Sequence, residues 1–226
     1  MSAKTQQEKE NGLVLSYLAL RRAVGFLGIS LPVILILGAI LFGACKGFQN
    51  SISDYHNTNM RDVFVGILCA IAFFLFAYHG YDIYDKVAAK AAGIFGFIVA
   101  IFPTGLDTNP CTIIAIENIP AWFEKVHFTA AILFFLVLAY FSIFLFTKSS
   151  KSKTDQTPRK KTRNIIYRVC GFTIIGCLVF LALYFKIPSL KTALAPYSPV
   201  LIFEVIALWS FGFSWIVKGE AILKDK

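Results

Sequence analysis

The sequence predicts an all-α fold: a polytopic membrane helical bundle of six transmembrane helices with both termini in the cytoplasm. Three observations carry that prediction. Of the 226 residues, 57% are hydrophobic, more than the half or less usual in soluble domains. Several apolar stretches last the roughly 20 residues a helix needs to cross a hydrocarbon core of about 30 Å. Drawing those stretches as spans also divides the 22 Lys and Arg residues seventeen to five between the two sides.

The richer side is the cytoplasmic one. An even number of spans keeps both basic ends there, whereas five or seven would place the C-terminal tail on the wrong side. The net charge of +9 thus reads as a topology signal, and secondarily as attraction to anionic headgroups. It does not read as a nucleic-acid footprint, because the charges follow the loops and form no aromatic-interleaved patch.

The elements follow in order. Residues 1–22 form a cytoplasmic N-terminal segment, polar through "MSAKTQQEKENG". In "LVLSYLALRR" the residues Leu13, Tyr17 and Leu20 recur at helical spacing, as a short interfacial helix or an extension of the first span. Residues 23–226 make a single transmembrane domain. Its first span, Gly25 to Ala44, is full-length, lacks a small-x-small cleavage site and contains Pro32, which neighbouring helices can accommodate.

Span two, Asp62 to Gly80, opens on a residue suited to an N-cap, and Tyr78, Tyr81 and Tyr84 around its end suit interfacial anchoring. Span three, Val87 to Pro103, sets Ala88, Ala92 and Gly96 four apart, with Gly93 beside them, on a smooth packing face. His127 to Thr147 is span four. Asn164 to Phe185 is span five, and Lys90 and Arg168 near span ends can snorkel.

Residues 148–163, "KSSKSKTDQTPRKKTR", are a Ser-, Thr- and Lys-rich linker able to meet anionic headgroups. Span six runs from Ser198 to Val217. An R-x-x-G-F pattern at Arg22 and again at Arg168 opens two spans leaving the cytoplasm, four spans apart, which is not the spacing of an inverted repeat.

Chemistry gathers on the outer face. The loop "SISDYHNTNMRD" supplies Ser51, Ser53, Asp54, His56, Arg61 and Asp62; Asp107, Glu124, His127 and Glu204 lie on the same side. Glu204 is seven residues past Tyr197, about 10 Å deep in helical rise. Facing lipid there costs roughly 2.5 kcal/mol or more. It must therefore point inward, toward a partner or a proton, and His127 is the most economical partner.

His56, His127, Glu204 and Asp54 together could hold a catalytic zinc, with water completing the shell. No HExxH or CxxC pair supports this set, and its assembly depends on the fold. Ser53, Asp54 and His56 are too close in sequence for a pre-organised triad. Cys45 and Cys111, both on the outer face, can pair in an oxidising compartment, while Cys69, Cys170 and Cys177 lie in spans.

At "SISDYHNTNMRDVFVGILCAIAFFLFAYHGYD", "AGIFGFIVAIFPT", "FTAAILFFLVLAYFSIFLFTK" and "FEVIALWSFGFSWIVKGE", the chain resembles an uncharacterised family of bacterial polytopic membrane proteins. More distantly it is similar to the six-span damage-regulated autophagy modulator group. The resemblance runs from Ser16 onward and implies six spans with Ser53 and Asp54 in the loop before span two. It implies no activity. Similarity to the alkaline ceramidase and progestin-receptor-like hydrolases, which bind zinc through membrane histidines and an aspartate, is limited, since a seventh span and a closing HxxxH are missing.

Three readings of function stand at this point. The first is binding of a lipid or small amphiphile in a polar pocket open to the outer face of a bacterial inner membrane. His127 and Glu204 would line it, residues 51–62 would form its lid, and Ser53, Asp54, His56 and Arg61 would contribute. The second is a zinc-dependent hydrolase of a lipid amide or ester at the same place. The third is a transporter coupled to protonation of Glu204.

Overall fold

The computed structural model describes residues 3–43, 45, 47–80, 82–105, 120–149 and 156–224, with side chains from residue 16 onward. Among them there are helices and no strands. Seven α-helices are formed: α1 (Ala3–Phe42), α2 (Arg61–Ala77), α3 (Ile83–Ile101), α4 (Ala121–Tyr140), α5 (Pro158–Lys186), α6 (Pro188–Leu194) and α7 (Pro199–Lys218). Four segments are long and apolar enough to cross a membrane: Ser16–Phe42, Ala121–Leu145, Pro158–Lys186 and Pro199–Lys218. Between them they make this a membrane-embedded protein.

The six longer helices close into a ring in which α1 packs on α2, α2 on α3, α3 on α4, α4 on α5, α5 on α7 and α7 back on α1. Large apolar side chains face outward all round it, among them Phe26, Phe73, Ile94, Phe128, Phe172 and Trp209. A surface of that kind needs an apolar solvent. Inside, Trp215, Phe141, Phe146, Phe211, Tyr78 and Tyr167 are fully buried and meet largely edge to face, with ring centroids 5.2 to 6.0 Å apart where Trp215 touches Tyr78, Phe146 and Phe211.

Helix ends follow local chemistry. Asp82 caps α3 by accepting from the backbone N–H groups of Tyr84 and Asp85, at 2.9 and 3.1 Å, while the Asp85 carboxylate accepts from the Asp82 N–H. Lys148, on the far side of α4, reaches both carboxylates at 2.7 and 3.3 Å. Thr157 caps α5 ahead of Pro158, which fits the first helical position. The last turn of α4 loosens into a π-helix at Phe141–Leu145, where the Ser142 hydroxyl donates to Ser214 of α7 at 3.0 Å.

Close crossings are set by glycine. Gly25 of α1 and Gly212 of α7 face each other so tightly that a methyl on Gly25 would lie 2.7 Å from the Gly212 carbonyl oxygen. The Ala88–Ala92–Gly96 face of α3 packs on α2 as expected, with Gly93 against Ala72 and Phe76. Both R-x-x-G-F glycines, Gly25 and Gly171, sit at crossings of this type, so the repeated pattern marks close helix approach.

One open choice is settled and two local expectations are corrected. The first helix runs unbroken from Ala3 to Phe42, so residues 13–22 extend the first span. Met60 occupies the N-cap of α2, placing Asp62 inside the first turn, where it still complements the helix dipole. Tyr78 is no interfacial anchor: it is buried, stacked on Tyr17 at 5.1 Å, and accepts a hydrogen bond from Arg21. Tyr84 is exposed, and Tyr81 lies outside the described residues.

Candidate functional site

Residues 51–58 turn back into the mouth of the ring, where a short 3-10 helix, Ser53–Asn57, forms. Ser51, Ile52, Ser53, Tyr55, His56, Asn57 and Thr58 are all buried. The segment expected as a lid, residues 51–62, is thus buried as a plug over residues 51–58. A non-helical backbone at that depth must find partners inside the protein.

The plug finds those partners. Leu201 N–H donates to the Asn50 carbonyl at 2.9 Å, Ser51 Oγ accepts from the Asp54 N–H at 3.0 Å, and Thr58 Oγ1 donates to the Tyr55 carbonyl and accepts from the Met60 N–H.

Glu204 completes the set. Its Oε2 accepts from the backbone N–H of Ile52 at 2.6 Å. The carboxylate points inward, as the cost of lipid exposure requires, but its partner is a loop amide. The expected pairing with His127 does not form, because both ring nitrogens of that residue are engaged elsewhere. Nδ1 is 2.6 Å from the Phe102 carbonyl oxygen and Nε2 is 2.9 Å from Ser53 Oγ.

These contacts fix the tautomer. A carbonyl oxygen only accepts, so Nδ1 carries the hydrogen, and the lone pair on Nε2 accepts from the Ser53 hydroxyl. His127 and Ser53 are 1% and 8% exposed, so bulk water does not compete for this chain of contacts.

The remaining predicted residues surround the pair without joining it. His56 is buried edge-on against Phe64, with ring centroids 6.0 Å apart. Burial, then the Arg61 and His127 charges, push its pKa down to about 4. Asp54 accepts from Thr104 Oγ1 at 3.4 Å. Arg61 opens α2 and forms no ion pair with Asp54 among the described residues.

Among the described residues, no three His, Cys, Asp or Glu side chains gather as ligands for a metal ion. The zinc set of His56, His127, Glu204 and Asp54 is thus not assembled, and the hydrogen bonds of His127 use both of its possible ligand atoms. Asp107 lies outside the described residues. Cys45 is in a disulfide, whereas Cys69, Cys170 and Cys177 are free; Cys111, its expected partner, is also outside them.

Two cavities adjoin at Glu204. The larger, about 440 Å³, is a groove between α4, α5 and α7 whose walls include Phe128, Phe135, Leu136, Phe185 and Phe203. Glu204 is the one acidic or basic residue lining it. The smaller, about 40 Å³, lies inside the ring and is lined by Ile52, Ser53, Phe64 and Glu204 among others. Ala131, Phe135 and Glu204 belong to both walls.

The Ser53–His127 contact was not readable from sequence, since 74 residues separate the two and no spacing rule links a loop serine to a helix histidine. The groove was equally hidden, because lipid-facing and groove-facing apolar residues are chemically alike. Comparison with protein families, with curated proteins and with solved structures finds no match.

Proposed function

We propose that the chain is a six-span protein of a bacterial inner membrane, with cytoplasmic termini, that binds a lipid or small amphiphile in the groove between α4, α5 and α7. One observation carries this reading: an apolar groove of about 440 Å³ is lined by a single carboxylate. That volume is in the range of small-molecule sites, and its design matches theirs, mostly apolar with few fixed polar groups. An acyl chain would lie along Phe128, Phe135 and Phe203, with its polar end at Glu204.

Six spans are supported by the ring, in which α2 and α3 are full members. At 17 and 19 residues these helices extend about 26 to 28 Å, close to the hydrocarbon thickness. The orientation is supported by the clustering of Arg21, Arg163, Lys160 and Lys218 at the end away from the plug. Lys160 there donates to the carbonyls of Phe146 and Lys148; the part of the basic linker left to meet anionic headgroups includes residues 150–155, outside the described set. Membership of the bacterial six-span family belongs to the same reading.

Native mass spectrometry from a mild detergent tests it. The protein should retain a lipid-sized mass, and Ala182→Trp, which fills the groove from an exposed position, should lose that mass while eluting as a folded protein. Wild-type protein with no retained mass would overturn the reading.

A further inference from the structure

We propose that Ser53 is the nucleophile of a lipid-ester acyl hydrolase and His127 its general base. The inference rests on the groove reading and assigns that groove a substrate class: a carboxylic ester with a long acyl chain. Three observations carry it. Ser53 Oγ donates to His127 Nε2 at 2.9 Å, and the Nδ1–H is held by the Phe102 carbonyl at 2.6 Å. This is nucleophile, base and orienting acceptor in sequence, the arrangement that activates a hydroxyl.

The second observation is placement. Ser53 lines the inner chamber, and that chamber shares the wall of Ala131, Phe135 and Glu204 with the groove. Displacing the Phe135 side chain, which lines both, would bring an ester carbonyl at the groove's inner end to the serine. The third is support: the Ile52 N–H, one residue before Ser53, is tied to Glu204 at 2.6 Å. Glu204 acts as a positioning residue that holds the Ile52–Ser53 backbone against α7.

The chemistry balances with water as the co-reactant. Ser53 Oγ bonds to the acyl carbon as its proton passes to His127 Nε2. The carbon–oxygen bond to the alcohol then breaks, and Nε2 returns the proton to the departing alkoxide, leaving an acyl-serine and a free alcohol. Water next attacks the acyl carbon and gives a proton to Nε2. The bond to Oγ breaks, Oγ regains its proton, and a fatty acid leaves. His127 can take the proton because the Nδ1–H contact to Phe102 is retained, and strengthened, in the imidazolium.

The test uses the full-length detergent-solubilised protein and a fluorophosphonate carrying a long alkyl chain, with adducts located by peptide mass spectrometry. The expected result is one adduct, on Ser53. It should be absent in Ser53→Ala, about a hundredfold slower to form in His127→Gln, and slowed when Ala182→Trp fills the groove.

Glu204→Gln, which keeps an acceptor for Ile52, should label closer to wild type than Glu204→Ala. Labelling Ser53 as fast with an ethyl probe as with the long-chain one would overturn the acyl-chain assignment. Folded wild-type protein that retains lipid in native mass spectrometry yet takes no adduct, or takes it elsewhere, overturns the nucleophile and leaves the groove reading intact. Absence of retained lipid counts against the groove itself, so the two failures are distinguishable. Should His127→Gln fail to fold, the wild-type and Ser53→Ala comparison still decides.

Discussion

Glu204 shows how one side chain can be placed by cost alone. A carboxylate inside "LIFEVIALWSFGF" has to face protein, and it does. What could not be read was the partner, because the Ile52 N–H becomes available only through the loop conformation. Replacing Glu204 with Ala leaves that buried donor unsatisfied, at about 1–3 kcal/mol, whereas Gln retains an acceptor. Thermal unfolding in detergent should therefore show a clear fall for Glu204→Ala and a small one for Glu204→Gln.

His56 gives a pH signature at the same scale. Its folded pKa is about 4 against an ordinary 6.5, so the unfolded chain takes up a proton first as pH falls. Its contribution is level above about 6.5 and declines between 6.5 and 4, where only the unfolded state is protonated. The melting temperature should fall across that window, and the fall should be shallower in His56→Gln.

At the scale of helices, the apolar runs made six elements legible, but their ends were not. Span four was expected to open at His127, yet α4 begins at Ala121, because Trp122 and Phe123 pack on Phe102 with centroids 5.8 and 5.0 Å apart and extend the helix through polar Glu124 and Lys125. Hydropathy reports where water is excluded, whereas a helix ends where its backbone donors are satisfied.

Crossings were half legible. The small-residue face of α3 could be read from spacing, while the Gly25–Gly212 contact could not, since 187 positions divide a pair that meets backbone to backbone. Gly212→Leu should force α1 and α7 apart at a cost of about 1–3 kcal/mol or more, and fluorescence-detected size exclusion should show reduced monodisperse yield. Gly176, which has open space at its Cβ position, should tolerate Ala without loss.

For the whole molecule, composition and charge placement establish the solvent and suggest an orientation, because both follow from bulk transfer energies. The candidate site was legible as an inventory: Ser53, His127 and Glu204 all lie in it. Its wiring was not, since a His–Glu pair was expected and the structure instead joins His127 to Ser53 and Glu204 to Ile52. Three-dimensional juxtaposition across 74 and 152 positions leaves no local trace in one chain.

The tie between the loop at residues 50–58 and the last long helix also orders folding. The loop is synthesised long before Leu201 and Glu204, so the contacts they make with the Asn50 carbonyl and the Ile52 amide form last. Until that helix packs, the loop lacks the two contacts that fix it. The loop thus takes its final shape only after the last long helix is in place.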